Sequence, residues 1–200
     1  MRLFGSPMSP YVRKVRAVAI ETRLDGQIKF VPCRVREVNN ELRNANPLAR
    51  IPTLIRDDGQ ALYDSPVICE YFDSLHDGPK LLPAAGEARW RVLRTQALGD
   101  GIMDAAVPRR DELSRPEEQR SSDWLKIYVE MIGRALDQLD REVDVLGDVS
   151  VGSITIGCAL GYLDFRFQDD HWREGRSRLA AWFDAFSQRA SLARTTPCQL

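Results

Sequence analysis

The chain has 200 residues, 28 lysines and arginines against 29 aspartates and glutamates, and 44% hydrophobic residues, which excludes disordered, collagenous and fibrous classes and leaves room for one large domain or two small ones. A formal net charge of −1 supplies no positive field for a phosphate backbone, so small molecules or protein contacts are expected rather than nucleic acid. No apolar run approaches the ~18 residues of a membrane span, and the start, Met-Arg-Leu-Phe-Gly-Ser-Pro, is interrupted too soon for a secretory signal; the expectation is a cytoplasmic protein without membrane contact.

Arg2 to Phe4 predicts a short strand, and the cluster from Gly5 to Pro10 a turn. A helix follows over Tyr11 to Thr22, where Val12, Val15, Ala19 and Ile20 keep helical spacing while Arg13, Lys14, Arg16 and Glu21 fall largely elsewhere on the wheel. Ile28 to Cys33 alternates like a strand, Thr53 to Ile55 is another, and Asp57-Asp58-Gly59 turns the chain into Gln60 to Tyr63. A helix from Pro66 to about Leu75 has proline at its start and Asp64 or Ser65 as N-cap. The order is β-α-β, a loop with an irregular helix, then β-β-α: a parallel pair extended by antiparallel strands, the thioredoxin-like arrangement.

Asp77-Gly78-Pro79 and Pro83-Ala84-Ala85-Gly86 punctuate the chain as a linker. The expected division is a thioredoxin-like α/β domain over residues 1–79 and an all-α bundle over residues 87–200. In the second part Trp90, Leu93 and Ala97 mark one helix, and Leu125, Tyr128, Ile132, Ala135, Leu136 and Leu139 stripe a long one from Trp124 to Val143. Ser150 opens a mostly apolar helix to about Phe167, expected at the centre of the bundle. Leu179, Trp182, Phe183 and Phe186 mark a further helix.

Cys33, Cys69, Cys158 and Cys198 are scattered, and His76 and His171 are the only histidines. Neither a structural zinc site nor a disulfide framework fits that spacing, and neither histidine neighbours a nucleophile motif. No metal is expected.

The chemistry-bearing segments are Ser9-Pro10-Tyr11-Val12-Arg13-Lys14, Asn46-Pro47-Leu48-Ala49-Arg50-Ile51-Pro52, Tyr63-Asp64-Ser65-Pro66 and the helix-opening Ser150. On these ordered segments the chain resembles the cytosolic glutathione S-transferases, of the bacterial kind with a serine active site, over essentially its whole length. Ser9 precedes a helix whose first residue is a proline, so its hydroxyl can cap that helix or donate to a thiolate held at the positive helix end; the resemblance gives it the catalytic place. Ser9-Pro10-Tyr11-Val12 is also similar to the Cys-Pro-Tyr-Cys of glutaredoxins with serine in place of the nucleophilic sulfur, which removes the usual route through a mixed disulfide on the enzyme. Ile51-Pro52 resembles the family's element with a cis peptide bond, which implies that the Ile51 backbone pairs with the cysteinyl part of glutathione. Asp64-Ser65 resembles the pair that grips the γ-glutamyl end, a carboxylate for the ammonium and a hydroxyl with helix N–H groups for the carboxylate. For the glycyl carboxylate Arg34, Arg36 and Arg50 all remain candidates, Arg50 standing directly before Ile51-Pro52.

Ser150-Val151-Gly152-Ser153 stands where the family carries a capping box ending in an acid, and here the second serine replaces that acid. The resemblance implies an enzyme that uses glutathione as co-substrate, transferring its thiolate to a small electrophile. That electrophile would lie against the helix near Gly101 to Arg110, with Met103, Asp104 and Val107 as lining candidates. It also implies a homodimer. The alternatives are a glutathione-dependent isomerase, dehalogenase or peroxidase using the same thiolate, or a non-catalytic binding protein on the same fold.

Overall fold

The computed structural model describes residues 1–33 and 39–198. The candidates Arg34 and Arg36 therefore lie outside the described residues. The chain divides into two compact units, Met1–Ala84 with Arg189–Leu200, and Ala85–Gln188.

The first unit runs β1 (Arg2–Gly5), α1 (Pro10–Glu21), β2 (Lys29–Pro32), α2 (Asn40–Ala45), β3 (Thr53–Ile55), β4 (Ala61–Leu62) and α3 (Ser65–Ser74), and closes with α8 (Ala190–Ala193). Its sheet has the order β2-β1-β3-β4. β1 is parallel to β2 and antiparallel to β3, and β3 is antiparallel to β4, the mixed thioredoxin-like sheet expected from the element order. The irregular helix expected between the second and third strands is α2, capped by the Asn39 side chain, which accepts from Leu42 N–H at 3.0 Å.

Leu3, Val12, Val15, Val18, Leu54, Ile68 and Phe72 are all fully buried, the apolar stripes of α1 and α3 meeting the alternate strand residues on one face of the sheet, while Phe4, pointing to the other face, is buried with Cys33, Leu42 and Ile55. The last residue of β1 has no room for a side chain. A Cβ on Gly5 would stand 2.6 Å from Val12 Cγ1, so strand and helix approach closely and the turn between them is held tight.

One expectation about α1 is corrected. Arg13 and Lys14, assigned by the helical wheel to the polar side, are buried. Arg13 is covered by α8: its Nη2 donates to Leu192 O at 3.1 Å, and Arg189–Cys198, assigned to the bundle from sequence, falls in the first unit instead. The Glu21 carboxylate fastens this segment, accepting from Arg189 Nε and Nη2 at 3.1 Å each and from Ser191 Oγ at 2.5 Å.

Burial alone would raise the Glu21 pKa, but hydrogen bonds from Arg189 and Ser191 and the Arg189 charge outweigh it and hold the carboxyl below its usual value. A carboxyl depressed in the folded state stabilises above its unfolded pKa and loses that contribution as pH falls through the folded value. Glu21→Gln is expected to cost about 1–2 kcal/mol at pH 7, reduced from the full charged-bond value because Arg189 is partly exposed. The difference from wild type should shrink in melts run toward pH 4.

The second unit contains α4 (Gly86–Leu113), α5 (Ser122–Arg141), α6 (Val151–Arg166) and α7 (Ser177–Phe186). α6 is buried from Val151 to Leu163 and packs along α4, as its lack of a polar face predicts. A Cβ on Gly152 would come within 2.8 Å of Val92 O, so glycine permits this close helix approach. The two-serine box closes fully: Ser150 N–H donates to Ser153 Oγ at 2.8 Å, and Ser153 N–H to Ser150 Oγ at 3.1 Å. A serine at the third position thus satisfies the cap donor without a carboxylate.

Candidate active site

Strand register gathers the motif residues. Gly5 pairs with Pro32, Phe4 with Thr53, and Leu54 with Leu62, so β1 leaves, β3 enters and β4 leaves at one end of the sheet. Ser9 follows β1 by four residues, Ile51-Pro52 immediately precedes β3, and Asp64-Ser65 immediately follows β4. Three segments far apart in sequence therefore converge at the carboxyl end of the parallel pair, the edge where α/β folds place ligands.

Ser9 is the N-cap of α1, with its Oγ accepting from Val12 N–H at 3.3 Å. Pro10 is the first helical residue, where its missing N–H costs nothing. The hydroxyl proton is not used in this cap bond, so a half-buried Ser9 can accept from the helix and donate outward together. The neighbouring Ser6 is buried, with its Oγ taking Met8 N–H at 3.3 Å.

The Ile51–Pro52 peptide is cis, and so is Tyr63–Asp64. Among the described residues neither the N–H nor the C=O of Ile51 has a backbone partner, leaving an open peptide at the sheet end. The loop presenting it is organised by a residue whose role the sequence did not disclose. Asn46 is 1% exposed; its Nδ2 donates to Arg50 O at 3.2 Å and to Thr53 Oγ1 at 2.9 Å, while its Oδ1 accepts from Leu48 N–H at 2.9 Å. Thr53 Oγ1 in turn donates to Arg50 O at 2.8 Å. These bonds also hold Ala49 in the left-handed region at φ 50°, which a non-glycine residue adopts at some cost. The only signal in the sequence was an Asn-Pro turn dipeptide.

Asp64 is the N-cap residue of α3 but makes no side-chain cap bond, and it is exposed. Ser65, the first helical residue, is 2% exposed. A carboxylate thus stands beside the positive end of a helix whose first-turn N–H groups are available to an anion, a pairing that suits a zwitterionic amino-acid head. Arg50 is exposed.

Of the second-substrate candidates on α4, Met103 is fully buried, Asp104 exposed and Val107 half-buried. Met103 is accordingly a packing residue of the helical unit, while Asp104 and Val107 keep access to solvent. The cysteines offer no alternative nucleophile near α1: Cys33 lies in the core with Phe4, Leu42 and Ile55, and burial pushes its thiol pKa up against the hydrogen bond to the Gly5 backbone. Among the described residues no group of three histidine, cysteine or acidic side chains could hold a metal, and no helix is long and apolar enough to cross a membrane.

Comparison with known proteins agrees with this fold. Residues 3–80 match the glutathione S-transferase N-terminal domain and residues 108–185 the glutathione S-transferase C-terminal domain. The chain belongs to the glutathione S-transferase family. It is 35% identical to the uncharacterized GST-like protein YibF of Escherichia coli (strain K12), over 98% of each chain. Among solved structures it resembles a glutathione transferase family member from Pseudomonas fluorescens Pf-5 with bound glutathione, at 42% identity, 99% coverage of both chains and a TM-score of 0.95. A second crystal structure of a family member from that organism, with bound S-(propanoic acid)-glutathione, gives 42% identity, full coverage of both chains and a TM-score of 0.91.

Proposed function

We propose that this protein is a serine-type glutathione transferase that binds glutathione at the sheet end and ionises its thiol for attack on a small electrophile. The observation that carries the reading is the convergence of Ser9, Ile51-Pro52 and Asp64-Ser65 fixed by the strand register. In this reading Asp64 holds the γ-glutamyl ammonium. Ser65 and the α3 N-terminus hold its carboxylate, and the Ile51 peptide pairs with the cysteinyl backbone as one more strand would. Arg50 takes the glycyl carboxylate. Ser9 donates to the sulfur at the positive end of α1, favouring thiolate over thiol.

The thiol proton passes to solvent, the sulfur lone pair forms the new S–C bond, and the leaving group departs with the electrons of the bond that breaks, or the electrophile's π pair moves away in an addition. The relative holding S-(propanoic acid)-glutathione supports the general chemistry, since that ligand is a thioether of glutathione. Asp104 and Val107 on α4 are proposed to face the second substrate. A cytoplasmic homodimer fits the reading, and the apolar residues left exposed on the helical unit, Trp90 at 62%, Trp124 at 55% and Met131 at 42%, support a covered face.

The test is calorimetric titration with glutathione, followed by initial rates with 1-chloro-2,4-dinitrobenzene. One site per chain and turnover above the uncatalysed rate are expected. Absence of binding heat at several temperatures would overturn the reading.

A further inference from the structure

The first unit contains a cavity of about 200 Å³ apart from the segments assigned to glutathione. Its floor follows from strand register. Leu3 of β1 stands beside Phe30 of β2, so both side chains point to one face of the sheet, the face that α1 covers. Arg16, Ala19 and Ile20 lie three and four residues apart on the second half of α1 and supply the opposite wall. β2 is the edge strand, and among the described residues no further strand closes that flank. It is bounded instead by Asp25, just past the helix, and by Arg194 of the returning segment.

All of these residues belong to the first unit. The cavity lies toward the end of the sheet where α1 finishes and β2 begins, whereas Ser9, Ile51 and Asp64 gather at the other end. Its charges are unevenly met. Arg194 Nη2 donates to Asp25 Oδ2 at 2.7 Å, so those two cancel across the mouth. Arg16 is half-buried, has no carboxylate partner among the described residues, and lies over the Phe30 ring at 5.1 Å. One surplus positive charge is therefore held at an apolar cavity, and a guanidinium stacked on a ring keeps its in-plane donors for a carboxylate.

Volume limits the occupant. An enclosed apolar cavity of ~150 Å³ accepts benzene, whereas drug-sized ligands take ~300–1,000 Å³, so a body of one or two rings fits here. We propose that this cavity binds a small aryl carboxylate, its rings against Leu3, Ala19 and Phe30 and its carboxylate on Arg16, at a ligand site separate from the glutathione site. The inference goes beyond the transferase reading and does not depend on it.

The probes are 2-naphthoate and its neutral carboxamide, titrated calorimetrically into the full chain without glutathione. Wild type should bind 2-naphthoate with a dissociation constant on the order of 0.1 mM, modest because so small a ligand offers few atoms, and the carboxamide about tenfold more weakly. Arg16→Gln should weaken 2-naphthoate about 10–100-fold and leave the carboxamide within about twofold. Ile20→Trp, which fills the cavity from α1, should weaken both. Circular dichroism melts establish that each variant is folded. No binding of 2-naphthoate to folded wild type, equal affinity for the two probes, or equal weakening of both by Arg16→Gln would overturn the proposal.

A competition separates this site from the one at the sheet end. Saturating S-hexylglutathione should leave the affinity for 2-naphthoate within about twofold, and displacement would overturn the proposal by placing the aryl acid with glutathione. If S-hexylglutathione itself fails to bind, the transferase reading falls while the Arg16→Gln titration still decides the aryl carboxylate site.

Discussion

Ser9→Ala is expected to retain most of the affinity for glutathione while thiolate formation near neutral pH and turnover of electrophiles fall about 10–1000-fold, the range for losing a donor aimed at developing charge. The asymmetry follows from the division of labour at the sheet end. Affinity is assigned to Asp64, Ser65 and the Ile51 peptide, whereas Ser9 acts on the sulfur alone. Its cap bond to Val12 N–H, at 3.3 Å, is long, so its removal should cost only about 0.5–1 kcal/mol of stability. The measurement is ultraviolet thiolate absorbance of bound glutathione against pH for both proteins. A donor that favours thiolate places the wild-type midpoint lower, and each unit of separation corresponds to about 1.4 kcal/mol. Coincident curves would reduce Ser9 to a helix cap.

Asp64→Ala should show the opposite pattern, a loss of affinity with the chemical step intact. Removing the counter-charge of the ligand ammonium costs about 2–5 kcal/mol when the pair is buried. The exposure of Asp64 points to the lower end, roughly a thirtyfold rise in dissociation constant. Because Asp64 makes no side-chain cap bond to α3, the melting temperature should scarcely move. A folded variant with unchanged affinity would displace the γ-glutamyl site from the α3 N-terminus.

The elements of the first unit were legible because each carries a local signal. The Asp57-Asp58-Gly59 turn, proline near the start of two helices, and alternation in the short strands put β1, β3 and α3 within a residue or two of their observed ends. What stayed hidden was set by partners distant in sequence. Arg13 meets its cover, Leu192, 179 positions later, and Asn46 gains its meaning only when Arg50 and Thr53 fold back onto it. Helix periodicity also could not tell Met103, which is core, from Val107 one turn on, since both are apolar and one helical turn apart on α4.

The return of residues 189–198 to the first unit sets a schedule for the chain's birth. By the time Ala84 leaves the ribosome the sheet, α1 and α3 are all available, but the segment that covers Arg13 is synthesised about a hundred residues later, roughly 5–20 s at ordinary elongation rates. During that interval the nascent half carries a bare guanidinium and an uncovered flank of α1. Ribosome-stalled chains ending near residue 188 should therefore be cleaved by protease within the first unit more readily than chains released after α8.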